Sequence, residues 1–214
     1  MKAKILGLVV VGLLAGPMSA QATLVVDEGF DNVAGLAAAG WVQVNASTNP
    51  SNPYFQGNAG VFPAASGAAN SYVAANFLSG NPVISNWLMT PVFMFTCTLD
   101  VDFLARVAGG GYLDTIEVWL SGNGASTNVA DFTTLLGSYS SSTDNGWVAQ
   151  SFSALTAGGL QGRVGFRYFV ADSNVDGNYI GIDSVRINVP EPGTLAMLGL
   201  GLAGLGFVRR RSVS

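Results

Sequence analysis

The chain contains no histidine, and its two lysines, Lys2 and Lys4, both fall within the first four residues. Without imidazole, Ser-His-Asp and Cys-His catalysis and the HExxH zinc site are unavailable, which removes most hydrolase classes. Cysteine is limited to Cys97, so no internal disulfide framework can form. Helical periodicity is missing as well. No stretch between residues 23 and 188 keeps a 3.6-residue apolar period over three turns, which argues against folds that need crossover helices. No fixed-period repeat is present, so propellers and solenoids are unsupported. Only 10% of residues are charged.

Both termini are apolar. At the start, Lys2 and Lys4 precede an apolar run from Ile5 to Leu14, followed by small residues at Ala20 and Ala22. This is the pattern of a secretory signal peptide spanning residues 1–22 and cut after Ala22. Ten apolar residues reach only about half of the ~20 that a membrane-crossing helix requires. At the other end, Gly193 to Val208 is an uncharged, glycine-rich run, followed at once by Arg209, Arg210 and Arg211. As a helix it would be about 24 Å long, short of the ~30 Å hydrocarbon core, and the arginines would hold its end on the cytoplasmic side. These are the features of a stop-transfer segment.

Between the termini, period-two alternation predicts about ten strands, near 24–30, 41–45, 71–76, 87–92, 95–106, 115–121, 134–140, 147–153, 163–170 and 179–189. Clusters of Gly, Asn, Ser and Pro separate them, as in NASTNPSNP and SSSTDNG. An antiparallel double sheet fits this spacing, and a closed barrel stays open. In FTCTLDVDF the alternation places Cys97 with Phe95, Leu99, Val101 and Phe103, which reads as a buried core thiol. In RVGFRYFV it places Arg167 on the outer face, where it would pair with an acid of a neighbouring strand.

Residues 23–188 carry twelve acids against four arginines, Arg106, Arg163, Arg167 and Arg186, a formal charge of −8. Such a surface repels phosphate backbones and anionic lipids and attracts divalent cations. One segment has the right letters for calcium. In DSNVDGNYIGID, Asp172, Asn174, Asp176, Gly177 and Asp183 follow the spacing of a calcium loop. The flanks read as strands, however, and an Asp-Gly turn explains the same letters without metal. A second geometry brings Glu28 or Asp31 from the first strand to Asp183 on the last. Calcium is thus the one candidate cofactor, and none is required.

Catalysis by a carboxylate pair has little to work with, because residues 23–188 hold only two glutamates, Glu28 and Glu117. Asp114 and Glu117 lie three apart on one strand, which sends them to opposite faces. Four tryptophans invite sugar stacking. Trp41 and Trp87 read as core, whereas Trp119 and Trp147 are candidates for exposed glycan-binding rings, with core or rim packing as the alternative.

The tripeptide Pro190-Glu191-Pro192, the glycine-rich run and the arginine cluster together resemble the PEP-CTERM sorting signal. The resemblance implies cleavage near the motif by an exosortase, a membrane-embedded cysteine transpeptidase, in a Gram-negative bacterium that makes exopolysaccharide or biofilm. Two prolines keep the backbone around Glu191 extended, as a protease requires. The body resembles the choice-of-anchor J family, similar to cleaved-adhesin and MAM-type jelly rolls. Its stretches EGFDNVAGLAAAGW, ISNWLMTPVF and FRYFVADSNVDGNYIGIDSV carry that likeness.

The expected fold is therefore all-β: an antiparallel jelly-roll β-sandwich over 23–188, preceded by the signal peptide. A sorting segment over 189–214 follows, with a single C-terminal transmembrane helix. The expected role is that of an exported, exosortase-processed protein of the cell surface or extracellular matrix, transiently held in the inner membrane. Its body would be a non-catalytic adhesion module for extracellular polysaccharide, with a carbohydrate-active enzyme or a purely structural matrix protein as the alternatives.

Overall fold

The computed structural model describes residues 22–190. They form two antiparallel six-stranded sheets packed face to face, with three short 3-10 turns as the only helical elements. The strands are β1 (Ala22–Glu28), β2 (Val42–Asn45), β3 (Phe55–Gln56), β4 (Val73–Asn76), β5 (Ile84–Met89), β6 (Phe93–Met94), β7 (Thr98–Val107), β8 (Asp114–Ser121), β9 (Thr134–Ser141), β10 (Val148–Leu155), β11 (Gln161–Val170) and β12 (Tyr179–Pro190). Sheet A runs β10-β7-β12-β4-β3, with β1 also on β12. Sheet B runs β2-β5-β11-β8-β9, with β6 also on β11. First and last strands are neighbours, as the expected geometry requires, and Ala22 pairs with Pro190.

Alternation builds the core. Leu99, Val101, Phe103, Ala105 and Val107 of β7 are buried between the sheets, as are Val164, Phe166 and Tyr168 of β11 and Ile180, Ile182, Val185 and Ile187 of β12. Each such Val, Leu, Ile or Phe side chain contributes on the order of 1.5–3 kcal/mol on leaving water. Phe103 meets Phe166 edge-on across the interface at 5.2 Å. The two tryptophans read as core, Trp41 and Trp87, are 4% and 5% exposed.

Three expectations are corrected. Cys97 is exposed rather than buried. Residues 95–97 are not part of a strand: the chain there crosses from β6 in sheet B to β7 in sheet A, so the alternation that groups Cys97 with Leu99 lapses at the crossing. The strand expected over 87–92 lies at Ile84–Met89, and all six of its residues are buried. A strand covered on both faces has no alternation to read. Two-residue strands β3 and β6 are too short for any periodicity, which raises the count from ten to twelve. The helix expected within 193–208 and residues 1–21 of the expected signal peptide, Ala20 included, lie outside the described residues, whereas Ala22 opens β1.

Candidate functional site

The outer face of sheet A divides into a covered half and an open half. The chain between β3 and β4 folds back over the first. Phe62 stacks on Tyr72 at 5.2 Å, and Trp147 meets both edge-on at 5.5 and 5.4 Å. The Trp147 Nε1–H donates to the Pro63 carbonyl at 2.9 Å, and Arg106 lies 4.5 Å above the Phe62 ring while its guanidinium binds Asp144 through two nitrogens at 2.9 and 2.8 Å. Beneath the rings is Gly181 of β12. A Cβ there would stand 2.9 Å from each of Phe62, Tyr72 and Trp147. Trp147 is thus a half-buried wall of a packed cluster.

The open half is a groove of mixed polar and apolar lining centred on a bulge in β12. Pairing with β7 loses register between Asp183 and Arg186, and Ser184 takes a left-handed backbone at φ 52°. Few non-glycine residues adopt that conformation, and where it persists the surroundings hold it in place. Here Asp183 does so. Its carboxylate is fully buried and accepts the Ala65 and Ser66 amides at 2.9 and 3.2 Å and the Ser184 hydroxyl at 3.1 Å. Burial pushes this carboxyl above the usual range, and the hydrogen bonds oppose the shift.

Two adjoining depressions meet at Ser184 and Arg186. One extends toward Asp27, Asp31 and Ser66, the other toward Asp102, Gln150 and Ser151. Arg186 binds Asp27 at 3.2 Å, but the side chains are 63% and 54% exposed. An ion pair this open contributes little, on the order of 0–1 kcal/mol, so either group is free to exchange its partner for a ligand. Carboxylates that accept, a guanidinium that donates and hydroxyls that do both suit a polyhydroxylated ligand.

The acids singled out in the sequence separate into two places. Asp172 and Asp176 stay in the turn between β11 and β12. Asp172 accepts the Asn174 amide and side chain at 3.0 and 2.7 Å, and Asp176 accepts the Leu113 amide at 2.9 Å. Gly177, at φ 83°, completes the Asp-Gly turn. Asp183 is already four residues beyond the start of β12, so the twelve-residue spacing does not close into one loop. Glu28 accepts the Phe30 amide at 2.7 Å, and Asp31 lines the groove beside Ser66 and Gly67. Among the described residues no three His, Cys, Asp or Glu side chains come together as a metal would require.

Trp119 lies on the outer face of sheet B, away from Trp147. It is half-buried, its ring 6.3 Å from Trp87, and its Nε1–H donates to Glu117 at 2.8 Å. Arg167 pairs with the same Glu117 at 3.0 Å, directly across from it in the ladder, and stacks 4.2 Å from Phe169. This is the cross-strand pair expected of Arg167. Asp114 points the other way, buried against Tyr168 at 2.7 Å, so the two acids of this strand do occupy opposite faces. The groove residues Ser184, Arg186 and Asp102 escape sequence reasoning, because a bulge leaves no periodic mark. The only available hint is an arginine standing alone among the acids of an acidic body.

Pro190 is the last described residue, and Glu191, Pro192, Arg209, Arg210 and Arg211 lie beyond it. Residues 188–211 match the PEP-CTERM protein-sorting motif. No curated protein matches the chain. Among solved structures, it is similar to the K1 cleaved adhesin domain of Lys-gingipain from Porphyromonas gingivalis W83, at 20% identity and a TM-score of 0.60, over 78% of this chain and 98% of that one. The K3 domain of the same protein gives 19% and 0.56, over 79% and 99%, and the K2 domain 22% and 0.57, over 76% and 96%. At these identities the likeness is one of fold. The body is a two-sheet antiparallel sandwich similar in fold to these cleaved adhesin domains, and residues 188–211 carry a PEP-CTERM sorting motif.

Proposed function

We propose that this chain is an exported protein, cut by an exosortase at Pro190-Glu191-Pro192 and left at the cell surface or in the extracellular matrix. Its sandwich acts there as a non-catalytic adhesion module for extracellular polysaccharide, within an exopolysaccharide matrix or biofilm. The observation that carries the reading is the sorting motif at 188–211, which begins inside the last strand of an adhesin-like body. Support for binding without catalysis comes from the missing imidazole and from Glu117, which is held by Arg167 and Trp119 rather than free to act as a base. The stretches that resemble the choice-of-anchor J family fit the same role. The ligand contact we assign to the groove at Arg186.

Intact mass spectrometry of the protein from its native host tests the processing: the mass of a chain starting at Thr23 and ending near Glu191 is expected, and a full-length polypeptide overturns it. Binding is tested by co-sedimentation with the host's own extracellular polysaccharide. Arg186→Ala should weaken it at least about tenfold, the cost of ~1.4 kcal/mol of hydrogen bonding. Equal binding by the variant sinks the groove, and hydrolysis of the polysaccharide sinks the non-catalytic reading.

A further inference from the structure

The end of the sandwich that carries the sorting signal gathers exposed apolar side chains, with Asp100 and Asp131 held by hydrogen bonds from Ser153, Ser126 and Asn123 at its margin. Leu155 is 88% exposed, more than any other large hydrophobic residue of the body, and Met94, Leu160 and Leu24 are 56%, 48% and 48% exposed. Strand register gathers them. Leu155 pairs with Thr98, Asp100 with Asn188, and Ala22 with Pro190, so β10, β7, β12 and β1 all reach the same edge, where residue 190 leaves the body. Leu160 and Met94 join from sheet B. The Phe95 amide donates to the Leu160 carbonyl at 2.7 Å, and Met94 pairs with Gln161. The segments 93–98, 155–161 and 22–26 contain no charged residue, although the body as a whole is strongly acidic.

Scattered exposed hydrophobics need no explanation, but several gathered on one edge do. The occupant follows from the length of chain outside the described body. Only Glu191 and Pro192 separate Pro190 from the apolar run that starts at Gly193. Three residue steps span at most about 10 Å, whereas the headgroup zone on each side of a bilayer is some 5–7 Å deep. With 193–208 in the membrane, this edge is held within reach of the lipid interface. A folded body with charge −8 would be repelled from an anionic surface, and the edge whose segments 93–98, 155–161 and 22–26 carry no acid is the one that can approach it.

We infer that the edge formed by Leu24, Met94, Leu155 and Leu160 rests on the lipid surface before sorting. It fixes the height and orientation at which Pro190-Glu191-Pro192 meets its membrane-embedded enzyme. The contact rests on the reading of the C-terminal segment as a membrane-inserted sorting signal. Contact of this kind needs little intrinsic affinity, because the tether supplies a high effective lipid concentration.

Cys97, the single cysteine, is exposed on this edge and serves as the probe. The full chain, labelled there with a polarity-sensitive fluorophore, is reconstituted into vesicles of phosphatidylethanolamine and phosphatidylglycerol at 3:1. Blue-shifted emission and quenching by lipids brominated near the headgroup are expected. A label at Val175, on the β11–β12 turn at the far end of β12, placed by Val175→Cys in a Cys97→Ser background, should stay water-like. In the Leu155→Asp/Leu160→Asp variant the Cys97 quenching should fall at least several-fold with an unchanged melting temperature. A Cys97 signal equal to that at residue 175, or quenching untouched by the double substitution, overturns the inference. The vesicles contain no exosortase, so that outcome leaves the processing reading intact. Failure of the chain to retain the vesicles at all would instead count against the reading of the tail, and the inference falls with it.

Discussion

Asp114 and Asp183 are buried carboxyls whose proton affinity is raised above the ordinary range, in both cases chiefly by burial and against hydrogen bonds that favour the charged form. The folded state therefore holds these protons more tightly than the unfolded chain. The stabilisation is complete below the ordinary carboxylate value and is lost as pH rises through the raised folded values. Asp144 is shifted down by Arg106, so it stays ionised in both states above the ordinary carboxylate range and adds no slope there. The melting temperature should consequently rise as pH falls through the raised folded values toward the ordinary Asp value of ~3.9. Asp114→Asn, which keeps the acceptor used by Tyr168 and Asn178, should flatten that rise in thermal melts at each pH. At the same scale, the carboxylates of Glu28, Asp172, Asp176 and Asp183 each cap a backbone amide. If capping is their whole role, melting temperatures in calcium and in EDTA coincide. A midpoint that climbs with calcium would mean that the folded state binds it.

At the scale of elements, β12 organises the molecule. Its first half lies between β7 and β4 and its second between β7 and β1, and its outer face bears Gly181 under three rings and then the bulge at Ser184. Gly181→Ala should cost about 1–3 kcal/mol by overpacking, measured by chemical denaturation. The outer face of sheet B has a cover of its own. Phe132, 4% exposed, packs 5.4 Å from Trp87 and lies against Gly165, whose added Cβ would come within 2.9 Å of it. Phe132→Ala should destabilise by about 3 kcal/mol or more, with the loss seen as a lower denaturation midpoint at unchanged slope. These covers explain why Trp119 and Trp147 are packed although their strands read as half-exposed. Periodicity records which face a side chain occupies and nothing of what folds over that face later in the chain.

At the scale of the whole molecule, the sequence by itself determined the all-β class, the acidic character, the exclusion of imidazole chemistry and the sorting signal. Each depends on composition or on local order along the chain, and local order survives in a string of letters. Strands such as Thr98–Val107 and Tyr179–Pro190 were legible because one face of each meets the core and the other does not. Tertiary structure alone decided the rest. It exposed Cys97 at a crossing between sheets, split the calcium-like spacing between a turn and a strand, and sent the two candidate tryptophans to opposite sheets. It also placed Asp27, Asp102, Ser184 and Arg186, which are up to about 160 positions apart in sequence, around one groove. Contacts of that range are fixed by how strands pair and how loops cover them, and the physical cause is burial of the shared core, which no local pattern encodes.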